Sequence, residues 1–367
     1  MHHQGLGRRT ALRFAGVAAL GVAWLCAGGE DALAEISLPA VTVGAGLQTN
    51  FYACNTGCVY SPGTIPSGDS SVDGFALDSI RLYVNGSVTD TIKFTFNTEY
   101  DGSGKNTVGV LDAIGRFEFS DAFNIWAGRL LPPSDRANLY GPYYANDWAP
   151  YADHVADFYP DVATGRDNGV AYWGQFGILK VQVGVFDGGS LNSAVADTSK
   201  LLTAGRLTLD FWDPEPGYYF NGTYYGEKDL LALGLVAQNQ DSKTAWNVDG
   251  LMEKKLPGVG VVTVEAEYQK DNGLTAPTTN SGWYGLGSYL FPQVVGIGKI
   301  QVLGKYSQKT LDATSTAVSD KIKTSELNIN YIIKSFNARV GLYYLDQKDD
   351  VVGASKSEWG LKLQLQI

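Results

Sequence analysis

A serine, a histidine and several aspartates are the residues whose chemistry could support hydrolysis. Gly68-Asp69-Ser70 could present a nucleophilic serine, and His154 is the only histidine beyond the first few residues. A catalytic triad requires serine, histidine and carboxylate within hydrogen-bond reach of one another. The triplet lies in a loop rich in Pro, Gly and Ser, where such triplets arise by chance, so the sequence does not predict an enzyme.

Asp153, His154 and Asp157 are spaced in a way that could suggest a metal site. Carboxylates four residues apart share a face only on a helix, and this stretch is not predicted to form a long one. A transition metal would also require more His or Cys ligands. Weak calcium binding by the aspartates stays open as an alternative. We predict neither a metal site nor a cofactor.

Residues 1–34 are predicted to be a signal peptide. Three arginines precede the apolar stretch from Phe14 to Leu25, and Ala32-Leu33-Ala34 forms a small-residue cleavage site. Removing this segment takes away three basic and two acidic residues, which leaves residues 35–367 with a net charge near −11. That charge disfavours a nucleic-acid-binding protein.

Cys54 and Cys58 are the two cysteines that remain after cleavage. Because an exported chain meets an oxidising compartment, we predict that they form a small disulfide loop. Covalent haem attachment would need the pattern C-x-x-C-H. The spacing here is one residue longer and Val59 follows, so a haem site is excluded.

One segment near the end of the chain alternates strictly between apolar and polar positions. Phe336, Ala338, Val340, Leu342 and Tyr344 share one face, and the residues between them share the other. A period of two predicts a strand with one apolar and one wet side. The same pattern recurs along the chain, as in a transmembrane β-barrel with lipid outside and water inside.

The alternation predicts an all-β fold, a transmembrane antiparallel barrel of about sixteen strands, in which short turns occupy one rim and mostly long loops the other. Trp212–Asp229 breaks this rule, because it is long but falls on the short-turn, periplasmic rim. It is interpreted as an irregular periplasmic segment or a misjudged strand pair. The predicted strands are Val41–Tyr52, Phe75–Val88, Thr91–Asp101, Thr107–Phe119, Phe123–Leu131, Arg166–Gly174, Ile178–Asp187, Lys200–Phe211, Leu230–Gln240, Lys243–Lys255, Val259–Lys270, Ser281–Phe291, Lys299–Lys309, Lys321–Ile333, Phe336–Gln347 and Ser357–Ile367.

Aromatic residues on the apolar faces cluster at both strand ends, as expected where amphipathic rings prefer headgroup depth. A soluble β-sandwich or lectin is the alternative fold, but its core would not need aromatics separated in this way. The long-loop belt comprises Tyr100, Trp246, Tyr268, Tyr306, Tyr344 and Trp359, and the short-turn belt comprises Phe119, Phe123, Phe211 and Phe336.

Parity along the strands also assigns the charged side chains of the inner face. Eight basic and eight acidic residues balance one another. A sixteen-stranded barrel is too wide to be filled by side chains, so we expect a channel whose water solvates these charges. They are Arg81, Lys93, Arg116, Lys180, Arg206, Lys305, Arg339 and Lys362, with Glu99, Asp112, Glu118, Asp210, Asp249, Glu265, Glu267 and Glu326.

The insert Pro132–Gly165 is too long and too aromatic for a simple turn. We predict that it folds into the pore as a constriction loop, while a solvated extracellular loop is the alternative. Its acidic residues outnumber its basic ones, and clustered carboxylates in a pore favour cations. The charged residues of the insert are Asp135, Asp147, Asp153, Asp157 and Asp161, against Arg136 and His154.

Short motifs along the strands resemble the bacterial phosphate-selective porins of the O and P type. They are Arg81-Leu82-Tyr83-Val84-Asn85-Gly86, Lys93-Phe94-Thr95-Phe96-Asn97-Thr98-Glu99-Tyr100, Ala127-Gly128-Arg129-Leu130-Leu131-Pro132-Pro133, and Asn330-Tyr331 followed by Asn337-Ala338-Arg339-Val340. The resemblance implies a sixteen-stranded, trimeric outer-membrane porin that is general or anion-preferring. Two features depart from it: the inner face lacks a dense Arg/Lys ladder, and the chain ends in Ile367 rather than an aromatic residue.

The hypothesis from sequence is therefore a bacterial outer-membrane porin, without catalysis, for passive diffusion of ions and small hydrophilic solutes. The acidic insert predicts a weak cation preference. One alternative is an anion- or phosphate-preferring porin, which the resemblance favours. Another is a barrel that sheathes a partner electron-transfer protein, although nothing in the sequence selects it.

Overall fold

The fold is described by a computed structural model that covers residues 40–61, 70–100, 102, 107–153, 155, 165–188, 200–274, 279–312, 320–350 and 353–367. The predicted signal peptide lies outside these residues. Within this part of the chain no helix is long and apolar enough to cross a membrane.

Sixteen strands in the described residues form one closed antiparallel barrel, in which each strand pairs with its neighbours in sequence and β1 pairs with β16. The predicted fold class is confirmed. The strands are β1 Val41–Asn55, β2 Ser71–Ser87, β3 Ile92–Tyr100, β4 Gly109–Ser120, β5 Phe123–Leu130, β6 Asp167–Phe176, β7 Leu179–Phe186, β8 Leu202–Asp210, β9 Leu230–Gln240, β10 Lys243–Leu256, β11 Gly260–Asn272, β12 Thr279–Val295, β13 Gly298–Leu311, β14 Asp320–Lys334, β15 Ala338–Asp349 and β16 Ser355–Gln366.

The strands keep the predicted alternation of faces. In β15, Leu342 is 45% exposed on the outer wall while the neighbouring Tyr343 is 1% exposed on the inner wall. Tight turns join strands at the short-turn rim, where Gly177 and Gly258 adopt positive φ angles of 60° and 72°. Glycine reaches this left-handed region without a Cβ clash, so these turns reverse the chain within a few residues.

One predicted belt position is wrong. Phe336 precedes β15 and is 5% exposed, and its ring packs against Tyr144 at 5.4 Å and Tyr225 at 5.1 Å between centroids. Ser335 has a φ of 47°, and the register with β14 shifts beside it. This irregular turn interrupts the alternation of inward and outward side chains. Phe336 therefore points inward, although the residues of β15 that follow it keep the predicted parity.

Candidate functional site

The described part of the insert, residues 132–153, folds into the barrel; we call it the first inward segment. It contains a short helix, α1 (Arg136–Tyr140), whose N-cap Asp135 accepts a hydrogen bond from the Asn138 amide at 3.1 Å. Arg136 and Asp135 are both fully buried. The segment therefore has the position that the sequence predicted for a constriction loop.

Trp148 anchors the first inward segment to the barrel wall. Its indole Nε1–H donates to Asn330 Oδ1 at 2.6 Å, and its backbone N–H donates to Glu326 Oε1 at 2.9 Å. The Arg339 guanidinium lies over the ring at 4.1 Å. Gly341 makes this approach possible, because a Cβ there would overlap the indole.

The loop aspartates do not face open water. Asp147 and Asp153 lie 2.9 Å and 2.7 Å from Lys305 Nζ, and all three side chains are at most 3% exposed. Their charges are compensated within the protein, as burial of carboxylates requires. His154, Asp157 and Asp161 lie outside the described residues. The predicted cause of cation preference is therefore wrong for the three aspartates of this segment that the structure describes.

Residues 212–229, the second inward segment, also turn into the barrel. Glu215 accepts hydrogen bonds from both terminal nitrogens of Arg136 at 2.9 Å and 2.5 Å, and one from Tyr224 Oη at 2.6 Å. The Gly222 N–H donates to the Tyr144 carbonyl at 2.9 Å. The interpretation of this stretch as a periplasmic excursion or a strand pair is thus wrong, because its polar groups find partners in the lumen.

Phe220 occupies the centre of a cationic cluster in the second inward segment. Lys180 Nζ lies 4.2 Å from its ring centroid, Arg206 Cζ 4.9 Å and Arg136 Cζ 5.0 Å. Lys180 also donates to the backbone carbonyl of Glu215. Cation–π contacts strengthen where the cation is desolvated, so the ring helps to hold three buried cations close together.

Ten of the predicted pore-lining charges are buried against these segments instead of being solvated, which corrects the expectation of a wet inner face. Arg206 and Asp249 form a bidentate pair at 2.5 Å and 2.7 Å, with side chains no more than 1% exposed. All of the ten except Glu267 hydrogen-bond to one of the inward segments. The ten are Lys180, Arg206, Asp210, Asp249, Glu265, Glu267, Lys305, Glu326, Arg339 and Lys362.

The other six predicted charges lie along β2, β3 and β4, where space remains. Arg81 pairs with Glu99 at 2.7 Å, and Glu118 pairs with Lys93 at 2.9 Å and with Arg116 at 3.6 Å. Asp112 pairs with Arg166 at 3.2 Å. Along this wall, Arg81 and Arg166 thus each have a carboxylate partner of their own, while Lys93 and Arg116 share Glu118.

Three adjoining cavities run along that wall. The outer vestibule, about 220 Å³, lies toward the long-loop rim beside Tyr60. The lower chamber, about 560 Å³, lies toward the short-turn rim beside Gln366. A side vestibule of about 540 Å³ lies between β4–β6 and the second inward segment, and shares Tyr219 with the lower chamber.

Arg81 and Arg166 line both the outer vestibule and the lower chamber, so they form the neck between them. The sequence missed Arg166, which is the first residue of the predicted strand Arg166–Gly174 but lies before the observed strand β6, where parity no longer fixes its direction. It also missed Asp78, which lies 3.2 Å from Lys362 Nζ. A register shift between β1 and β2 beside Asp78 turns this residue inward, and no local pattern marks the shift.

Burial and neighbouring charge act on the ionisable groups of the inward segments. Burial alone would raise the pKa of Glu215, but the adjacent Arg136 guanidinium outweighs it and holds that pKa below its usual range. Burial raises the pKa of the Tyr143 phenol to about 12. At neutral pH, therefore, Glu215 is charged and Tyr143 is neutral.

The loop after β1 is fastened at the long-loop rim. Cys54 and Cys58 form a disulfide in the structure. Glu358 Oε2 accepts from the backbone amides of Val59 and Tyr60 at 2.9 Å and 2.8 Å. The fastening directs Tyr60 toward Lys362, whose Nζ donates to the phenol at 3.0 Å. Because both cysteines are in a disulfide, their proximity to Glu358 does not create a thiolate metal site.

No protein-family model and no curated protein sequence matches this chain. Solved structures do. The outer membrane channel DcaP of Acinetobacter baumannii is 13% identical, with a TM-score of 0.58 over 91% of this chain and 99% of that one. The anion-selective porin from Comamonas acidovorans is 13% identical, with a TM-score of 0.53 over 90% of this chain and 100% of that one.

A loop-deletion form of OmpT, an outer membrane protein of Vibrio cholerae, is 12% identical, with a TM-score of 0.55 over 90% of this chain and 99% of that one. At such identities the likeness concerns the fold. The chain folds as a sixteen-stranded barrel of the kind found in outer-membrane porins.

Proposed function

We propose that this protein is a non-catalytic channel of a bacterial outer membrane, through which ions and small hydrophilic solutes diffuse passively. The observation that carries the proposal is the series of three adjoining cavities, each lined in part by charged side chains, inside a closed barrel with an apolar outer wall. Sixteen strands leave an interior wider than side chains alone can fill, and here two segments fill one part of it. Export by the signal peptide and assembly into trimers belong to the same proposal.

We further propose a weak cation preference for this channel. The charged side chains that line the three cavities are Lys93, Arg81, Arg116 and Arg166, against Asp78, Glu99, Asp112, Glu118 and Asp121. Carboxylates therefore exceed basic groups by one. Each arginine has a carboxylate partner, so the local fields largely cancel and neither sign of ion is strongly favoured.

Anion preference is the second candidate, and the neck supports it. Arg81 and Arg166 are the two charged residues common to the outer vestibule and the lower chamber, so a permeating ion passes both guanidinium groups. A sheath for a partner protein lacks comparable support, because the inward segments occupy the space that such a partner would need.

Single-channel recording in planar bilayers tests the proposal. We expect discrete conductance steps and a reversal potential in asymmetric KCl that indicates weak cation preference. Replacing the neck residues, Arg81→Gln with Arg166→Gln, should increase that preference, because Glu99 and Asp112 lose their partners. The matched control is Lys323→Gln in an exposed pair with Asp350. Absence of conductance steps would refute the channel, and strong anion selectivity of the unmodified protein would favour the second candidate.

A further inference from the structure

The lower chamber is a distinct compartment in the proposed passage. Its volume of about 560 Å³ lies within the range of roughly 300–1,000 Å³ found for small-molecule sites. It is bounded by β1–β5, by both inward segments and by the end of β16. Any solute that passes the neck toward the short-turn rim therefore enters this space.

The charges on the chamber wall have partners inside the protein. Arg81 pairs with Glu99 at 2.7 Å, and Arg166 with Asp112 at 3.2 Å. Arg116, the third arginine of the wall, lies 3.6 Å from Glu118. The paired wall charges therefore offer an entering ion little net attraction.

Unpartnered hydrogen-bonding atoms on the chamber wall belong to neutral amides, to the Tyr83 hydroxyl and to Arg116 Nε. Gln366 lines the chamber, is only 7% exposed, and neither its Oε1 nor its Nε2 has a hydrogen-bond partner. Asn97 donates from Nδ2 to Asp112 at 2.8 Å, while its Oδ1 is without a partner. Together these amides offer both donors and acceptors, the complement that hydroxyl groups require.

Two tyrosine rings are the more exposed aromatic part of an apolar wall that also includes Trp126, Leu131, Leu139 and Phe220. Tyr144 of the first inward segment and Tyr219 of the second line the chamber, and they are 37% and 36% exposed. Exposed rings can pack against the C–H face of a compact cyclic molecule, while their hydroxyls add neutral polar contacts. The rings and amides thus suit a solute with one apolar face and several hydroxyls.

We infer that the lower chamber is a binding subsite for neutral, hydroxylated ring compounds of about monosaccharide size, held between the amides of Gln366 and Asn97 and the rings of Tyr144 and Tyr219. The inference rests on the proposed channel function and deepens it. It names the class of solute that binds within the passage: ions still pass, but the paired wall charges hold neither sign of ion strongly.

The test titrates D-glucose into bilayers that contain the full chain and measures the reduction of ion current. Glucose should reduce the current in a saturable manner. Gln366→Leu should weaken glucose binding by about two- to tenfold, the range expected for one neutral hydrogen bond. Gln308→Leu, on the outward face of β13, should leave binding unchanged. Tyr144→Leu, which alters an inward segment and not the barrel wall, should also weaken it.

D-glucosamine and D-glucuronate provide probes of the same ring size with one positive or one negative charge. Both should bind less tightly than glucose. Tighter binding of either charged sugar, or equal glucose binding by the unmodified protein and Gln366→Leu, would overturn the inference. Conductance steps without any effect of glucose would overturn the inference alone, whereas the absence of steps would refute the channel itself.

Discussion

At the residue scale, the buried charges explain how the barrel holds its inward segments. Lys305 reaches Asp147, Asp153 and the Pro150 carbonyl, at 2.9, 2.7 and 3.1 Å. Removing one member of such a group leaves the others buried and uncompensated, which costs far more than losing an exposed pair. These contacts therefore decide whether the first inward segment stays docked.

Lys305→Met should undock the first inward segment. The substitution leaves two buried carboxylates without their cation, which costs about 3–5 kcal/mol in comparable buried pairs. We expect larger single-channel conductance and faster protease cleavage within residues 132–153 of the bilayer-embedded protein. Lys323→Met, which removes an exposed pair with Asp350, is the control and should alter neither measurement. Protection equal to that of the unmodified protein would contradict the assigned role of Lys305.

At the element scale, glycines in two strands leave room for large aromatic side chains of the first inward segment. Gly341 in β15 and Gly46 in β1 lie where a Cβ would overlap Trp148 and Tyr143 respectively. A glycine in a strand interior weakens the strand, so its presence at a close approach has a packing reason. β1 and β15, which both pair with β16, thereby complement the aromatic side chains of the first inward segment.

Gly341→Ala should displace the Trp148 indole from Asn330. Overpacking of a well-filled interior typically costs about 1–3 kcal/mol. The expected result is faster hydrogen exchange of the Trp148 amide, which in the unmodified protein donates to Glu326. Gly285→Ala is the matched control, because a Cβ at that outward position has no neighbour within 4 Å. Unchanged exchange in Gly341→Ala would show that the indole does not depend on this glycine.

At the scale of the whole molecule, the two inward segments enter from opposite rims and meet in the lumen. Arg136 and Glu215 join them directly, and the Gly222 amide adds a backbone contact to Tyr144. Together they confine the open space to the wall formed by β1–β6. The size of the passage thus depends on contacts between two segments that lie about 80 residues apart in the sequence, and not only on the number of strands.

The Arg136–Glu215 contact predicts how conductance depends on pH. The pKa of Glu215 is lower in the folded protein than in the unfolded chain. Ionised Glu215 therefore stabilises the fold fully when the pH is above the glutamate pKa of the unfolded chain. This stabilisation is lost as the pH falls through the lower pKa of the folded protein. We therefore expect conductance to rise below about pH 4, where glutamate begins to protonate. Glu215→Gln should already conduct more at neutral pH and lack this part of the rise. Identical pH profiles of the two proteins would rule out Glu215 as the titrating group.

The sequence by itself determined the sixteen strands, their closure into a barrel, and the side of the wall that carries most charged residues. These properties follow from a period of two, which each strand carries locally. Local patterns could not reveal the position of Phe336, the inward turn of Asp78 or the role of Arg166, since a turn or a register shift resets parity at each site.

The tertiary structure alone decided which inward charges meet water. Lys305 and Asp147 are 158 residues apart, and Arg136 and Glu215 are 79 residues apart. Parity places such side chains in the lumen but cannot tell whether solvent or another segment satisfies them. That outcome depends on desolvation and charge pairing across the folded barrel. Most of the charges that were expected to line a wide, water-filled channel therefore bind the inward segments instead. The open passage is left beside β1–β6.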